Sequence, residues 1–239
     1  TPTDHTGVMG PEARSHLLDE LTRVDEQRGR LDLEKGKIIL EHGAKTLKEL
    51  GVEIVNLIHR RGSLVETIQE FEDSVEIIFV GKRGEHANKE SLFLGSNLEK
   101  VARSIHKPLF IVSSVVRPIK RFLIAYDGKN SVHKAIDYII QHPLVKKDLE
   151  CHILAVEREE GDIATSEAEQ TLRNAGFTPI LKTEQSQQID QTISSYVVDN
   201  EIDLLITGAY SHSRMRGLLL GSTTASLIKA CKVPLLLFR

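Results

Sequence analysis

Two apolar stretches near the end of the chain constrain the fold more than any other feature. Leu204–Ile206 and Pro234–Phe238 show no alternation of polar and apolar residues. Strands of this kind are buried on both faces, as in a parallel sheet that is covered by helices. A stretch with helical character, Thr223–Cys231, separates them. The segment therefore predicts a strand–helix–strand unit of a doubly wound α/β fold.

The same arrangement occurs earlier in the chain, where the apolar stretch Ile77–Val80 is followed by a glycine-rich loop, a helix and the apolar stretch Pro108–Val112. Three pairs of identical residues lie 126 positions apart: Gly95 and Gly221, Ser96 and Ser222, and Pro108 and Pro234. Coincident features at one fixed offset indicate an internal duplication. The chain is therefore a tandem repeat.

The duplication predicts two tandem doubly wound units, each with a mainly parallel five-stranded sheet. We place the first at residues 1–117 and the second at residues 118–239, with the boundary at Arg117 and Pro118. Compared with the second unit, the first lacks two strands and a helix, about 40 residues at ordinary connection lengths. We expect the first unit to be missing its N-terminal strands. The alternative is a naturally short start, with the sheet edge covered by the helix of residues 31–50.

Three local predictions complete the assignment of secondary structure. Glu12–Leu50 has helical periodicity, with a break expected near Gly29 or Gly36. Val52–Ile58 is predicted to be a strand. Ser131 is a candidate N-cap for the helix that follows the first strand of the second unit.

Composition excludes several classes of function. The net charge of −3, from 31 basic and 34 acidic residues, gives no electrostatic footprint for nucleic acid or for an anionic membrane. No apolar run reaches the roughly 18 residues of a membrane-spanning helix. We therefore expect a soluble, cytoplasmic protein. The ten histidines form no metal-binding motif, and Cys151 and Cys231 are predicted to be small core residues.

The loop before the last helix contains a candidate anion site. Gly208, Gly221, Ser222 and Thr223 combine close backbone approach, free amides at a helix start and two hydroxyl groups. Unsatisfied N–H groups and the helix dipole attract an anion at such a position. The alternative is that the glycines only permit tight turns, with Ser222 or Thr223 as an N-cap.

The spacing of these residues resembles the G-x2-G-x9-G-[ST] signature of universal stress proteins. Two residues separate Gly208 from Ser211, and nine residues separate Ser211 from Gly221 and Ser222. Ser211 thus stands where the family has its second glycine. A serine there can obstruct a phosphate or donate a hydrogen bond to it. The first repeat has ten residues between Gly84 and Gly95, so we expect its site to be degenerate.

The resemblance implies an α/β fold of the adenine-nucleotide alpha-hydrolase-like type that binds ATP, with a nucleotide-associated Mg²⁺ ion and no metal site of its own. Asp127 occupies the position of an acidic residue near the nucleoside, although Asp-Gly is also a common turn pair. Val156 matches the position whose backbone meets the adenine edge. His212 lies in the phosphate loop and can add a charged contact.

The function that the resemblance implies is that of an adenine-nucleotide-binding regulator of the stress response, without a dedicated catalytic site. The alternative is a nucleotide-independent interaction module of the same fold. Family members pair through their last strands, which predicts an intramolecular pseudo-dimer of the repeats through Leu109–Ser113 and Leu235–Phe238. The same edge could serve a homodimer.

Overall fold

The computed structural model describes residues 11–82, 96–113, 117–142, 144–161, 163–209 and 221–239. The contacts within the chain divide it into two units, Thr1–Arg61 and Gly62–Arg239. This division lies before residue 117, where the duplication predicts the boundary between the repeats. It reflects how densely each unit is packed and not the repeat structure. The two repeats at residues 1–117 and 118–239 stay a prediction.

The first unit contains one long helix, α1 (Pro11–Glu49), which runs without interruption. The predicted break at Gly29 or Gly36 is wrong, because a glycine costs a helix only about 1 kcal/mol relative to alanine. The two glycines instead give room to the chain that follows the helix. The guanidinium of Arg61 donates to the carbonyl of Gly29 at 2.6 Å, and a Cβ atom at Gly36 would lie 2.5 Å from the His59 ring.

The predicted strand Val52–Ile58 is also wrong, since these residues form no strand. Their β-branched and apolar side chains fit a pleated surface, but a strand is stabilised only by a neighbour with which it pairs. The Ile54 side chain is 79% exposed. Among the described residues, the strands that do pair all lie between Ile78 and Phe238.

The second unit contains the sheet and the helices that cover it. Its helices are α2 (Leu64–Glu72), α3 (Ser96–Ser104), α4 (Asn130–Gln141), α5 (Ser166–Asn174), α6 (Ile189–Asp199) and α7 (Ser222–Ala230). Its strands are β1 (Ile78–Gly81), β2 (Leu109–Val112), β3 (Arg121–Tyr126), β4 (Glu150–Glu157), β5 (Pro179–Gln185), β6 (Leu204–Gly208) and β7 (Leu235–Phe238). None of these described helices, nor α1, combines the length and apolar character needed to cross a membrane.

The seven described strands form one sheet in the order β1-β2-β7-β6-β3-β4-β5. The five strands from β7 to β5 are all parallel to one another. This confirms the five-stranded parallel sheet predicted for the second half of the chain. The described part of the first half contributes two strands, β1 and β2, which are parallel to each other.

The two halves join through an antiparallel pair, β2 and β7, as the sequence predicts for an intramolecular pseudo-dimer. The register pairs Leu109 with Leu237, Phe110 with Leu236, and Ile111 with Leu235. All six side chains are buried. This seam between β2 and β7 therefore joins the two halves by backbone hydrogen bonds inside an apolar core.

Helices cover both faces of the sheet and produce three layers. On one face, α3, α6 and α7 pack through side chains such as Val101, Val197 and Leu227. On the other face, α4 and α5 pack through side chains such as Ile136 and Leu172. Each fully buried side chain of this size stabilises the fold by roughly 1.5–3 kcal/mol.

Two cations fasten the ends of equivalent helices across the seam. Lys82 Nζ donates to the carbonyls of Lys229 and Cys231 at the end of α7. Arg239 Nη1 donates to the carbonyls of Arg103 and Ile105 at the end of α3, at 2.6 Å and 3.4 Å. The acceptors Lys229 and Cys231 lie 126 positions after Arg103 and Ile105, so equivalent carbonyls accept in the two repeats. In each case the cation comes from the other repeat. A positive charge at a helix C-terminus is favourable.

We predict that Lys82→Met lowers the free energy of unfolding by about 1–2 kcal/mol, because two terminal carbonyls of α7 lose a charged donor. Urea denaturation followed by circular dichroism measures the change. The control is Lys100→Met, the same replacement at an exposed position on α3, which should change stability by less than about 0.5 kcal/mol. Equal stability of both variants and the parent would contradict the capping role.

Burial of the two cysteines predicts their reactivity. Both are free and buried, as expected for core residues, and burial raises the pKa of the Cys151 thiol to about 12. Burial also raises the pKa of Cys231. A raised pKa keeps the thiol protonated at neutral pH, so neither should react with a thiolate-selective disulfide reagent until the protein is denatured. Rapid labelling of the native protein, measured by mass spectrometry, would disprove this.

Candidate functional site

A cleft of about 330 Å³ lies at the carboxyl ends of β3, β4 and β6. Its position follows from the topology. Strands β3 and β6 are neighbours, but β3 continues into α4 on one face of the sheet and β6 leads towards α7 on the other. Connections that leave adjacent parallel strands on opposite faces open a crevice between them, which is where such sheets bind ligands.

Side chains of three kinds line the cleft. The apolar ones come from β4, α6, α7 and the segment after β4: Leu154, Val156, Ile163, Ile189, Ile193 and Leu227. The small and hydroxylated ones come from β6 and α7: Thr207, Gly208, Thr223 and Thr224. The charged ones lie at the end of β4 or just after β3 and β4: Asp127, Lys129, Glu157 and Arg158. An apolar wall with a few convergent polar groups is typical of a small-molecule site.

The structure brings together half of the residues that the sequence singled out. Asp127, Val156, Gly208 and Thr223 all line this one cleft. Gly221 and Ser222 are adjacent to it at the start of α7. Ser211 and His212 lie outside the described residues, as do Gly84 and Gly95 of the first repeat. The roles of all these residues in binding a ligand stay predictions.

The amino terminus of α7 presents backbone donors to the cleft. The N-cap is Gly221, with no side-chain capping bond, so the expectation that Ser222 or Thr223 serves as N-cap is wrong. Both residues already belong to the first turn. The first helical hydrogen bond runs from Ala225 N to Gly221 O at 2.9 Å, which leaves the amides of Ser222, Thr223 and Thr224 without acceptors within the helix.

Two hydrogen bonds hold this helix start against the end of β6. Gly221 N donates to the carbonyl of Ala209 at 3.2 Å. The buried hydroxyl of Thr224 donates to the carbonyl of Gly208, also at 3.2 Å. The donors at the start of α7 are thus fixed relative to the sheet.

Gly208 has a steric role that its place in the motif did not reveal. A Cβ atom at this position would collide with the Ser131 hydroxyl and lie 3.0 Å from the Ser131 Cβ atom. Ser131 itself is buried in the first turn of α4. It is not the N-cap of this helix, as predicted, because the helix begins one residue earlier and Lys129 occupies the cap position. Gly208 therefore lets α4 approach the end of β6.

Asp127 and Lys129 form a small turn at the end of β3. Asp127 Oδ1 accepts a hydrogen bond from the Lys129 amide at 3.2 Å, and Gly128 between them has a φ angle of 69°. The turn interpretation of the Asp-Gly pair is therefore confirmed. The second carboxylate oxygen, Oδ2, lies 3.4 Å from Lys129 Nζ. One third of the Asp127 side chain is exposed, so the carboxylate remains accessible from the cleft.

Glu157 organises the segment that follows β4. Its buried carboxylate accepts hydrogen bonds from Gly161 N at 3.0 Å and Ile163 N at 2.9 Å. These bonds hold the Ile163 side chain against the cleft. Sequence reasoning missed Glu157, although its place directly after Val156 was a signal. It also missed Lys129, two residues after Asp127.

The described residues contain no group of three or more histidine, cysteine, aspartate or glutamate side chains that could hold a metal ion. The polar groups of the cleft are instead backbone amides, hydroxyls, one lysine and one arginine, with two carboxylates that accept backbone hydrogen bonds. This set is suited to a ligand that combines hydroxyl groups, an apolar ring and an anion.

The fold and the cleft define the class of protein: a doubly wound α/β protein with its ligand crevice at the topological switch point. The model of the universal stress protein family matches residues 5–113 and 152–239. The universal stress protein Slr1230 of Synechocystis sp. is 34% identical over 241 aligned residues, which cover 98% of this chain and 82% of that protein. The chain belongs to the universal stress protein family.

Solved structures agree on the fold. A universal stress protein from Archaeoglobus fulgidus superimposes with a TM-score of 0.68 at 23% identity, covering 94% of this chain and 79% of that one. A second crystal structure, from Pseudomonas aeruginosa, has a TM-score of 0.62 at 20% identity and covers 84% of this chain and 77% of that one. At these identities the likeness concerns the fold alone.

We predict that Gly208→Ala lowers the free energy of unfolding by about 1–3 kcal/mol, because the new methyl group collides with Ser131. Thermal or urea unfolding measures the loss. Ser131→Gly removes the colliding atoms, so the double variant should be more stable than the sum of the two single losses implies. Strictly additive losses in this double-mutant cycle would rule out the steric explanation.

Proposed function

We propose that this universal stress protein binds an adenine nucleotide, ATP, in the cleft at the carboxyl ends of β3, β4 and β6, and acts as a regulator in the cytoplasm. The observation that carries the proposal is the meeting of three features in one cleft. These are the amides at the start of α7 that have no acceptor within the helix, the Asp127 carboxylate and an apolar wall.

Each feature suits one part of a nucleotide. The amides of Ser222, Thr223 and Thr224, with the helix dipole behind them, suit a phosphate. A carboxylate at the end of a strand, such as Asp127, suits ribose hydroxyls. Apolar side chains such as Ile189 and Ile193 suit the faces of a purine ring. A Mg²⁺ ion that accompanied the nucleotide would be held chiefly by the phosphates.

The proposed role is binding and regulation, not catalysis. The two carboxylates that line the described cleft, Asp127 and Glu157, both accept hydrogen bonds from backbone amides. Each of these carboxylates holds a turn of the backbone in place, a structural role that supports binding rather than proton transfer. The proposed regulator would signal by the presence or absence of the nucleotide.

The test removes one backbone amide hydrogen at the start of α7. Ser222→Pro removes the amide hydrogen at the first helical position, where proline is well tolerated, and Gly221 before it has an extended ψ angle of 143° that suits a following proline. We predict that the affinity for ATP, measured by calorimetry, falls at least about tenfold, equivalent to ~1.4 kcal/mol.

The matched control is Ser222→Ala, which removes only the exposed hydroxyl and keeps the amide. It should bind ATP within about threefold of the parent protein. Denaturing the purified protein should also release an adenine nucleotide, which mass spectrometry can identify. A parent protein that neither releases nor binds one would refute the proposal and favour a nucleotide-independent interaction module.

A further inference from the structure

Lys129 is a cation in the cleft whose hydrogen-bonding capacity is left unused. Its side chain is 31% exposed, but the Nζ atom is buried and has no hydrogen-bond partner among the described residues. Its ion pair with Asp127 Oδ2 has a separation of 3.4 Å and does not satisfy hydrogen-bond geometry. An ammonium group carries three donors, and a buried donor without an acceptor costs free energy.

The other charges of the cleft do not supply the missing acceptors. The Glu157 carboxylate is occupied by the amides of Gly161 and Ile163. Asp127 Oδ1 is occupied by the Lys129 amide, which leaves Oδ2 as the one carboxylate oxygen in contact with Nζ among the described groups. Lys129 therefore has donors left over for an acceptor that comes from outside the protein.

The position of Lys129 indicates which acceptor this is. Lys129 directly precedes α4, which packs on one face of the sheet, whereas α7 packs on the other face. Lys129 and Thr223, in the first turn of α7, nevertheless line the same cleft. Two independent positive elements converge on one space. An anion with several oxygens can accept from both, and charge-assisted bonds of this kind are about twice as strong as neutral ones.

We propose that Lys129 binds the phosphate of the nucleotide and makes the cleft selective for phosphorylated nucleosides over free nucleosides. The ammonium group exchanges the Asp127 carboxylate for a phosphate oxygen when the ligand enters. This exchange frees Asp127 Oδ2 to accept hydrogen bonds from ribose hydroxyls. The proposal rests on the proposed function and adds a selectivity determinant to it.

The experiment compares ATP with adenosine on two variants at Lys129. Lys129→Met keeps the length of the side chain and removes its charge, and Lys129→Arg keeps the charge. Calorimetry should show that Lys129→Met loses at least about tenfold in affinity for ATP, while adenosine binds within about threefold of the parent. Lys129→Arg should retain most of the affinity for ATP.

The control is Lys146→Met, which makes the same change in net charge at an exposed position between α4 and β4, near the amino end of β4 and thus away from the cleft. It should leave both affinities unchanged. Raising the salt concentration should weaken ATP binding by the parent more than by Lys129→Met, because one charge contact has been removed.

The outcomes separate this proposal from the one on which it rests. If ATP binds the parent and Lys129→Met equally well, Lys129 is not a phosphate ligand. If the variant loses ATP and adenosine to the same extent, Lys129 only shapes the turn, and the selectivity proposal is wrong. If the parent binds adenosine as tightly as ATP, the site exists but lacks phosphate selectivity. A parent that binds neither refutes the proposed function itself and this selectivity with it.

Discussion

Antiparallel pairing of β2 with β7 is the interaction on which the rest of the second unit depends. Each of these strands closes its own repeat and would otherwise leave an apolar edge with unpaired peptide groups. Their pairing turns two partial sheets into one sheet of seven described strands. Lys82 and Arg239 then tie the ends of α7 and α3 to the opposite repeat. The seam is thus held by backbone bonds in the core and by charged caps beside it.

The same arrangement relates the candidate site to the seam. Helix α7 has its amino terminus at the cleft, and Lys82 caps its other end. It also packs against the Leu235 and Leu237 side chains of β7. A ligand at the amino terminus of α7 would therefore contact an element that both repeats hold in place.

Predictions from sequence succeeded where the pattern itself determined the environment. Leu204–Ile206 and Pro234–Phe238 lack polar alternation, and both form buried parallel strands of the sheet. Val52–Ile58 has a comparable apolar content but forms no strand, because strand formation needs a neighbour that the local pattern cannot supply. Ser131 failed as an N-cap because α4 already begins at Asn130, and Ser131 lies instead against Gly208 of β6.

The sequence by itself determined the parallel sheet of the second half of the chain and the closing strands that pair, and it predicted the duplication and the glycine spacing before α7. These features depend on periodicity and on residues close together in the chain. Only the tertiary structure decided that Lys129 and Glu157 share a cleft with Thr223, and that Lys82 and Arg239 cap helices of the opposite repeat. The physical reason is that such contacts join residues far apart in sequence, and folding alone brings their charges within reach of one another.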